Sequence, residues 1–127
     1  MEEQIYFAEE LQELRLADGI QYPVVLFNGP VCTAEGLYRV AELDFEEARR
    51  LVCRWGFESA VGHVASAEVL SAVLGVPVPM NRVDYVQKAG QMAIALKLNK
   101  RPEEGRILTV AEIYAVGFRL QLLERLD

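Results

Sequence analysis

The chain contains one histidine, His63, and therefore one side chain whose ordinary pKa lets it both give and take a proton near neutral pH. It follows Gly62, where the apolar run FESAV (residues 57–61) gives way to the Ala- and Leu-rich stretch VASAEVLSAVLG (residues 64–75). A strand that passes through glycine into a helix sets the imidazole at the helix N-terminus. Unpaired backbone N–H groups and the positive dipole end there favour an anion such as a phosphodiester. The same position also suits a plain helix cap or a solvated surface group, and position alone does not separate these roles.

No paired carboxylates, Ser-His-Asp set or Cys-His set stands out, and the glycines form neither a P-loop nor a dinucleotide fingerprint. What remains is His63, a helix start, several arginines and Asn28 at the end of an apolar run. That inventory suits cleavage of an RNA phosphodiester, in which the substrate's own ribose 2′-hydroxyl attacks phosphorus. Holding that hydroxyl in line supplies much of the acceleration. A protonated imidazole delivers a proton to the departing 5′-oxygen, and arginine or backbone N–H groups stabilise the charge growing on the phosphorane. This chemistry needs no metal, and neither a metal nor another cofactor is expected. Cys32 and Cys53 have no Cys or His at metal-ligand spacing and are expected to be reduced, partly buried thiols.

The elements that must position these groups read as a single α/β domain. Residues 3–16 carry Ile5, Ala8, Leu11 and Leu14 at helical spacing, and Asp18-Gly19 stops the pattern. They form a helical extension over residues 1–20, preceding a domain over residues 21–127. YPVVLFN (residues 22–28) is a buried strand broken by Gly29-Pro30, and residues 37–40 form a weaker one. Asp44-x-x-Glu47 opens a helix with Phe45, Ala48, Val52 and Trp55 along one face and Gly56 at its end. Residues 57–61 are a strand. The helix after His63 turns Ala67, Leu70, Val73 and Leu74 inward and stops at Gly75, with Pro77 and Pro79 beyond it. Residues 83–87 and 92–98 read as a hairpin joined by Lys88-Ala89-Gly90-Gln91. After a polar segment over residues 99–106, Thr109-x-x-Glu112 opens a helix to about Val116, and Phe118, Leu120 and Leu122 mark a closing strand. Strands alternating with helices, plus one hairpin, imply a mixed β-sheet flanked by helices.

At 127 residues and 52% hydrophobic the chain supports one core rather than two. No apolar run approaches the roughly 18–20 residues of a membrane span, and the acidic start MEEQIYFAEELQELRL is unlike a secretory signal. A cytoplasmic protein that avoids membranes is expected. The net charge of −6 disfavours long nucleic acids as partners. Its distribution is uneven: residues 81–106 hold six basic side chains against three acidic ones, and the remainder holds seven against sixteen. One basic segment in an acidic protein fits a compact polyanion, and equally fits a hairpin with a basic solvent face.

Several spaced segments carry a family resemblance. SAVGHVASAEVLSAVLG (residues 59–75), NRVDY (residues 81–85), RPEEGRILTVAEI (residues 101–113) and LFNGPV (residues 26–31) resemble the viral type III anti-CRISPR ring nucleases and their cellular relatives, in family order from about Pro23 to Leu126. The resemblance implies a homodimer that binds cyclic tetra-adenylate across its two-fold axis. Without metal, it would cut the ring to linear di-adenylate ending in 2′,3′-cyclic phosphate, switching off the signal. A near-fourfold ring presents equivalent phosphates to both copies of an isologous site. By position, the resemblance assigns catalysis to His63 as general acid, with Arg101 on phosphate and Glu104 orienting ligand or imidazole. Asn28, Gly62, Ser66, Arg82, Gly105 and Arg106 fall to ligand binding. Among these, Ser66 equally suits a helix cap, and Arg82 the pocket wall, the dimer or a structural ion pair. The chain departs from the pattern at Val31, near which some viral members carry a serine, and in its N-terminal extension. The alternative to turnover is a sponge or sensor that holds a cyclic oligonucleotide uncut.

Overall fold

The computed structural model describes residues 22–127, so the expected helical extension lies outside the described residues. Four consecutive buried residues, VVLF, form β1 (Val24–Phe27), which has no polar alternation because both of its faces are covered. The order continues through β2 (Tyr38–Leu43), α1 (Phe45–Trp55), β3 (Phe57–Ala60), α2 (Val64–Leu74), β4 (Met92–Leu98), α3 (Val110–Val116) and β5 (Phe118–Arg125). The five strands make one mixed sheet in the order β2-β5-β4-β1-β3. β1 lies between β3 and β4 and runs parallel to both, whereas β5 is antiparallel to β4 and β2.

The three helices pack on one face of this sheet. Ala48, Leu51 and Val52 of α1, Leu70, Val73 and Leu74 of α2, and Ile113 of α3 share a cluster with Leu26, Ile94, Leu96, Leu120 and Leu122. Phe45 is not part of the expected buried stripe of α1. It is 38% exposed and stacks on Phe118, with ring centroids 5.8 Å apart. The helix boundaries follow the caps. Asp44 accepts from the Glu47 N–H at 2.7 Å, and Thr109 and Glu112 form a reciprocal capping box at the start of α3.

The opposite face carries Val25, Phe27, Ala60, Ala93, Ala95 and Leu123, with Tyr85 packed against it. Here the expected hairpin is corrected. Residues 83–87 form no strand, and β4 pairs with β1 and β5 instead. The segment crosses the sheet face and is held by side chains rather than by a ladder. The Gln87 amide donates to the carbonyls of Gln91 and Leu123 at 2.7 and 2.8 Å, and that of Gln91 donates to the Pro23 carbonyl and the Tyr85 hydroxyl at 2.9 and 2.7 Å. Both glutamines are fully buried, so these bonds satisfy donors that would otherwise be costly. The cysteines are corrected too, since both Cys32 and Cys53 are exposed free thiols.

Among the described residues β3 pairs on one side only, and the stretch after α2 covers its other edge. Asn81 donates through its backbone to the Val61 carbonyl and through its side chain to the Ser59 carbonyl, both at 2.8 Å. Ser59 Oγ donates to the Pro79 carbonyl at 2.6 Å. Residues 79–82 thus protect an edge that would otherwise invite pairing with another chain.

Two stability measurements follow. Leu120 is fully buried at the centre of the helix-side core, and Leu120→Ala lowers unfolding free energy in urea by about 2–5 kcal/mol. A loss below ~1 kcal/mol would place Leu120 outside the core. The Thr109 backbone and then Arg106 hold the Glu112 carboxyl below its usual range. A depressed carboxylate stabilises the fold above the ordinary carboxylate range, and this contribution fades as pH falls through the lowered value. Glu112→Gln therefore flattens the acid limb of thermal stability against pH; an unchanged limb would contradict the coupling.

Candidate active site

Because β3, β1 and β4 are parallel, their carboxyl ends open on the same edge of the sheet, where ligands of open α/β sheets bind as the connections diverge from a central strand. Asn28 follows β1, Gly62 and His63 follow β3, and Leu96 and Leu98 close β4. His63 is the N-cap of α2 through its backbone, with φ −131° and ψ 134°, and its carbonyl accepts from the Ala67 N–H at 3.0 Å. Its imidazole makes no capping hydrogen bond. Of the roles open to a histidine here, the cap is thus filled by the main chain alone, which leaves the ring to the cleft. The first turn of α2 holds no acidic residue to offset the positive helix end.

A cavity of about 190 Å³ opens at this point, with Asn28, His63, Ser66 and Arg106 as its polar lining over an apolar floor that includes Leu96, Leu98 and Ile113. Ser66 is 8% exposed in the first turn of α2. Its side chain borders the cavity. Arg106 is ion-paired to Glu112 at the start of α3, which ties the polar segment before α3 to that helix.

The remaining expected residues are distributed around this cavity. Gly62 and Arg82 line an adjoining cleft of about 400 Å³ that shares His63, Ile107 and Leu108 with the first. The Gly62 N–H donates to Asn28 Oδ1 at 3.0 Å, so this amide is already occupied rather than free for an anion. Among the described residues Arg82 has no carboxylate partner; its Nε and Nη2 donate to the Gly62 carbonyl at 3.1 and 2.8 Å. Arg101 lines a third cavity of about 340 Å³, together with Lys100 and Glu103, and not the cavity of His63. Pro102, Arg106 and Leu108 form the wall between the two. Glu104 and Gly105 lie in an exposed turn and border none of these three cavities. Gly105 has φ +78°, a left-handed conformation that glycine adopts without strain.

Two features escaped sequence reasoning. The Arg106–Glu112 pair spans six positions and crosses a helix boundary, so no helical spacing rule flags it. An apolar rim of Val64, Met80 and Ile107, each about half exposed or more, also borders the cleft shared by His63 and Arg82. Exposed apolar residues gathered beside polar ones are the ordinary mark of a contact surface.

Residues 24–120 match the family described as STIV B116-like. Protein ORF117 of Acidianus two-tailed virus is 42% identical over 93 residues, which span 71% of this chain and 80% of that protein. Protein 26 of Sulfolobus islandicus filamentous virus (isolate Iceland/Hveragerdi) is 36% identical over 91 residues, 71% of this chain and 77% of its own length. YddF of Bacillus subtilis (strain 168) is 26% identical over 106 residues, 82% of this chain and 98% of YddF. Among solved structures, B116 of Sulfolobus turreted icosahedral virus shares the fold with a TM-score of 0.60 and 21% identity, covering 81% of this chain and 99% of B116. With the matched residues running from the first strand of the sheet into its last, the chain belongs to the STIV B116-like family.

Proposed function

We propose that this protein is a metal-independent ring nuclease that cleaves cyclic tetra-adenylate to linear di-adenylate ending in 2′,3′-cyclic phosphate, acting as a cytoplasmic homodimer that switches off type III CRISPR signalling. The observation that carries the reading is the imidazole of His63, unspent at the N-terminus of α2 and facing a cleft with Asn28, Ser66 and Arg106. In that setting the ribose 2′-oxygen attacks phosphorus as its proton passes to water, the P–O5′ bond breaks while the imidazolium gives its proton to the 5′-oxygen, and guanidinium groups and the helix end balance charge on the phosphorane. The viral sources of two relatives fit a role in defeating a host response.

Cavity size supports pairing of two chains. His63 borders two adjoining cavities of about 190 and 400 Å³, no larger than the roughly 300–1,000 Å³ that encloses a drug-sized ligand, and a ring of four nucleotides is larger than such a ligand. One protomer therefore holds part of the ring, and a second copy related by a two-fold axis holds the rest. The apolar rim beside His63 suits such a contact. A sponge that binds without cutting is favoured by one observation: Arg101 lies in a different cavity from His63, so phosphate can be held away from the proton donor.

Purified protein incubated with cyclic tetra-adenylate in EDTA yields linear di-adenylate on chromatography. His63→Ala lowers turnover by roughly 10²–10⁴-fold while affinity is largely kept. Intact ring retained by the wild type would establish the sponge, and equal loss of rate and affinity would make the imidazole a binding group. Arg101→Ala weakens binding and makes its salt dependence shallower. Unchanged affinity would remove Arg101 from the ligand.

A further inference from the structure

From the bonds around Gly62 we infer that Asn28 and Arg82 are positioning residues, which clamp the residue preceding His63 at its N–H and its carbonyl and so set where the imidazole points. The inference rests on the role of His63 proposed above, but its geometry is independent of the substrate. On one side, Asn28 at the end of β1 accepts the Gly62 N–H at 3.0 Å. On the other, Arg82 chelates the Gly62 carbonyl with Nε and Nη2 at 3.1 and 2.8 Å. The backbone polar groups of Gly62 are therefore both claimed by side chains from other parts of the chain, 34 and 20 positions away.

A plain turn does not need this. Gly62 has no left-handed φ to stabilise. A Cβ there would meet Arg82 and Asn28 at 3.6–3.7 Å, ordinary contact distances, so neither space nor backbone strain singles out this position; the two sets of hydrogen bonds do. Arg82 is itself anchored, because its neighbour Asn81 is bonded to Ser59 and Val61 along the edge of β3. The NR pair thus has a physical division of labour: asparagine fastens the strap to the strand, and arginine reaches one peptide further to hold the residue before the histidine. A planar guanidinium can chelate one carbonyl oxygen through two N–H groups, which a lysine ammonium does not reproduce.

The test compares Asn28→Ala, Asn28→Asp, Arg82→Ala and Arg82→Lys with the wild type. As the chain has one histidine, its imidazole gives a single set of long-range ¹H–¹⁵N correlations, read without ligand. Asn28→Ala and Arg82→Ala shift or broaden that set and speed hydrogen exchange of the Gly62 amide, while core methyl signals stay in place. Asn28→Asp, which keeps an acceptor oxygen, restores both readouts. Arg82→Lys falls between alanine and arginine. In single-turnover cleavage of cyclic tetra-adenylate the alanine variants lose about 10²-fold in rate and much less in affinity. Unchanged imidazole signals and Gly62 exchange in Asn28→Ala would overturn the inference, as would failure of Asn28→Asp to restore them. Should Arg82→Ala not fold, the Asn28 pair decides alone. A wild type that leaves the ring intact, with the imidazole still displaced in Asn28→Ala, would sink the ring-nuclease reading and leave the clamp standing.

Discussion

The central place of β1 between two parallel neighbours is the constraint from which the rest of this molecule follows. A parallel neighbour on each side requires a covered crossover each time the chain returns, and the helices among the described residues pack on one face of the sheet. It also brings three strand ends to one edge, so residues 28, 62–63 and 96–98 become neighbours although far apart in sequence. The cleft is a consequence of topology before it is a matter of side-chain choice.

Given that edge, local chemistry decides what it holds. α2 starts with a residue whose carbonyl begins the helix and whose ring is not consumed in doing so. Serine or aspartate at that position would spend its side chain on the N-terminal amides, which is the usual way to stabilise a helix start. Here the amides stay unmet by a cap, and stability comes instead from the buried face of α2 against the sheet. That trade is typical of functional sites, where a local rule is broken and neighbouring contacts compensate. The opposite face shows the complementary case, in which two buried glutamines are bonded through their amides and hold an irregular segment over the strands.

Much of this was legible in the residues. A continuous apolar run marked β1, glycines marked the ends of α1 and α2, and capping patterns at Asp44 and Thr109 marked two helix starts. The resemblance placed Asn28, His63, Ser66 and Arg106 in one site, and these do line one cavity. Residues 83–87 misled because Val83, Tyr85 and Val86 have strand-like character in any extended backbone, whether or not a ladder exists. Pairing is a long-range property, and nothing in VDYVQ tells a strand from a strap. Gln87 looked like a strand end and Gln91 like a turn residue, since their burial depends on carbonyls more than 30 positions away. Arg101 and Glu104 stand outside the His63 cavity for a related reason: the polar segment carrying them is set by the Arg106–Glu112 pair and the turn at Gly105.

The central claim is that one cyclic tetranucleotide is held between two copies of the His63 cleft, with the imidazole against the ring. A cyclic tetra-adenylate built from 2′-deoxyribose lacks the attacking hydroxyl and stays uncut, so it can be titrated to equilibrium while calorimetry counts sites and the lone imidazole is followed by NMR. The account predicts one ring per two chains and displacement of the imidazole signals on binding. One ring per chain, or saturable binding that leaves those signals where they were, would contradict it.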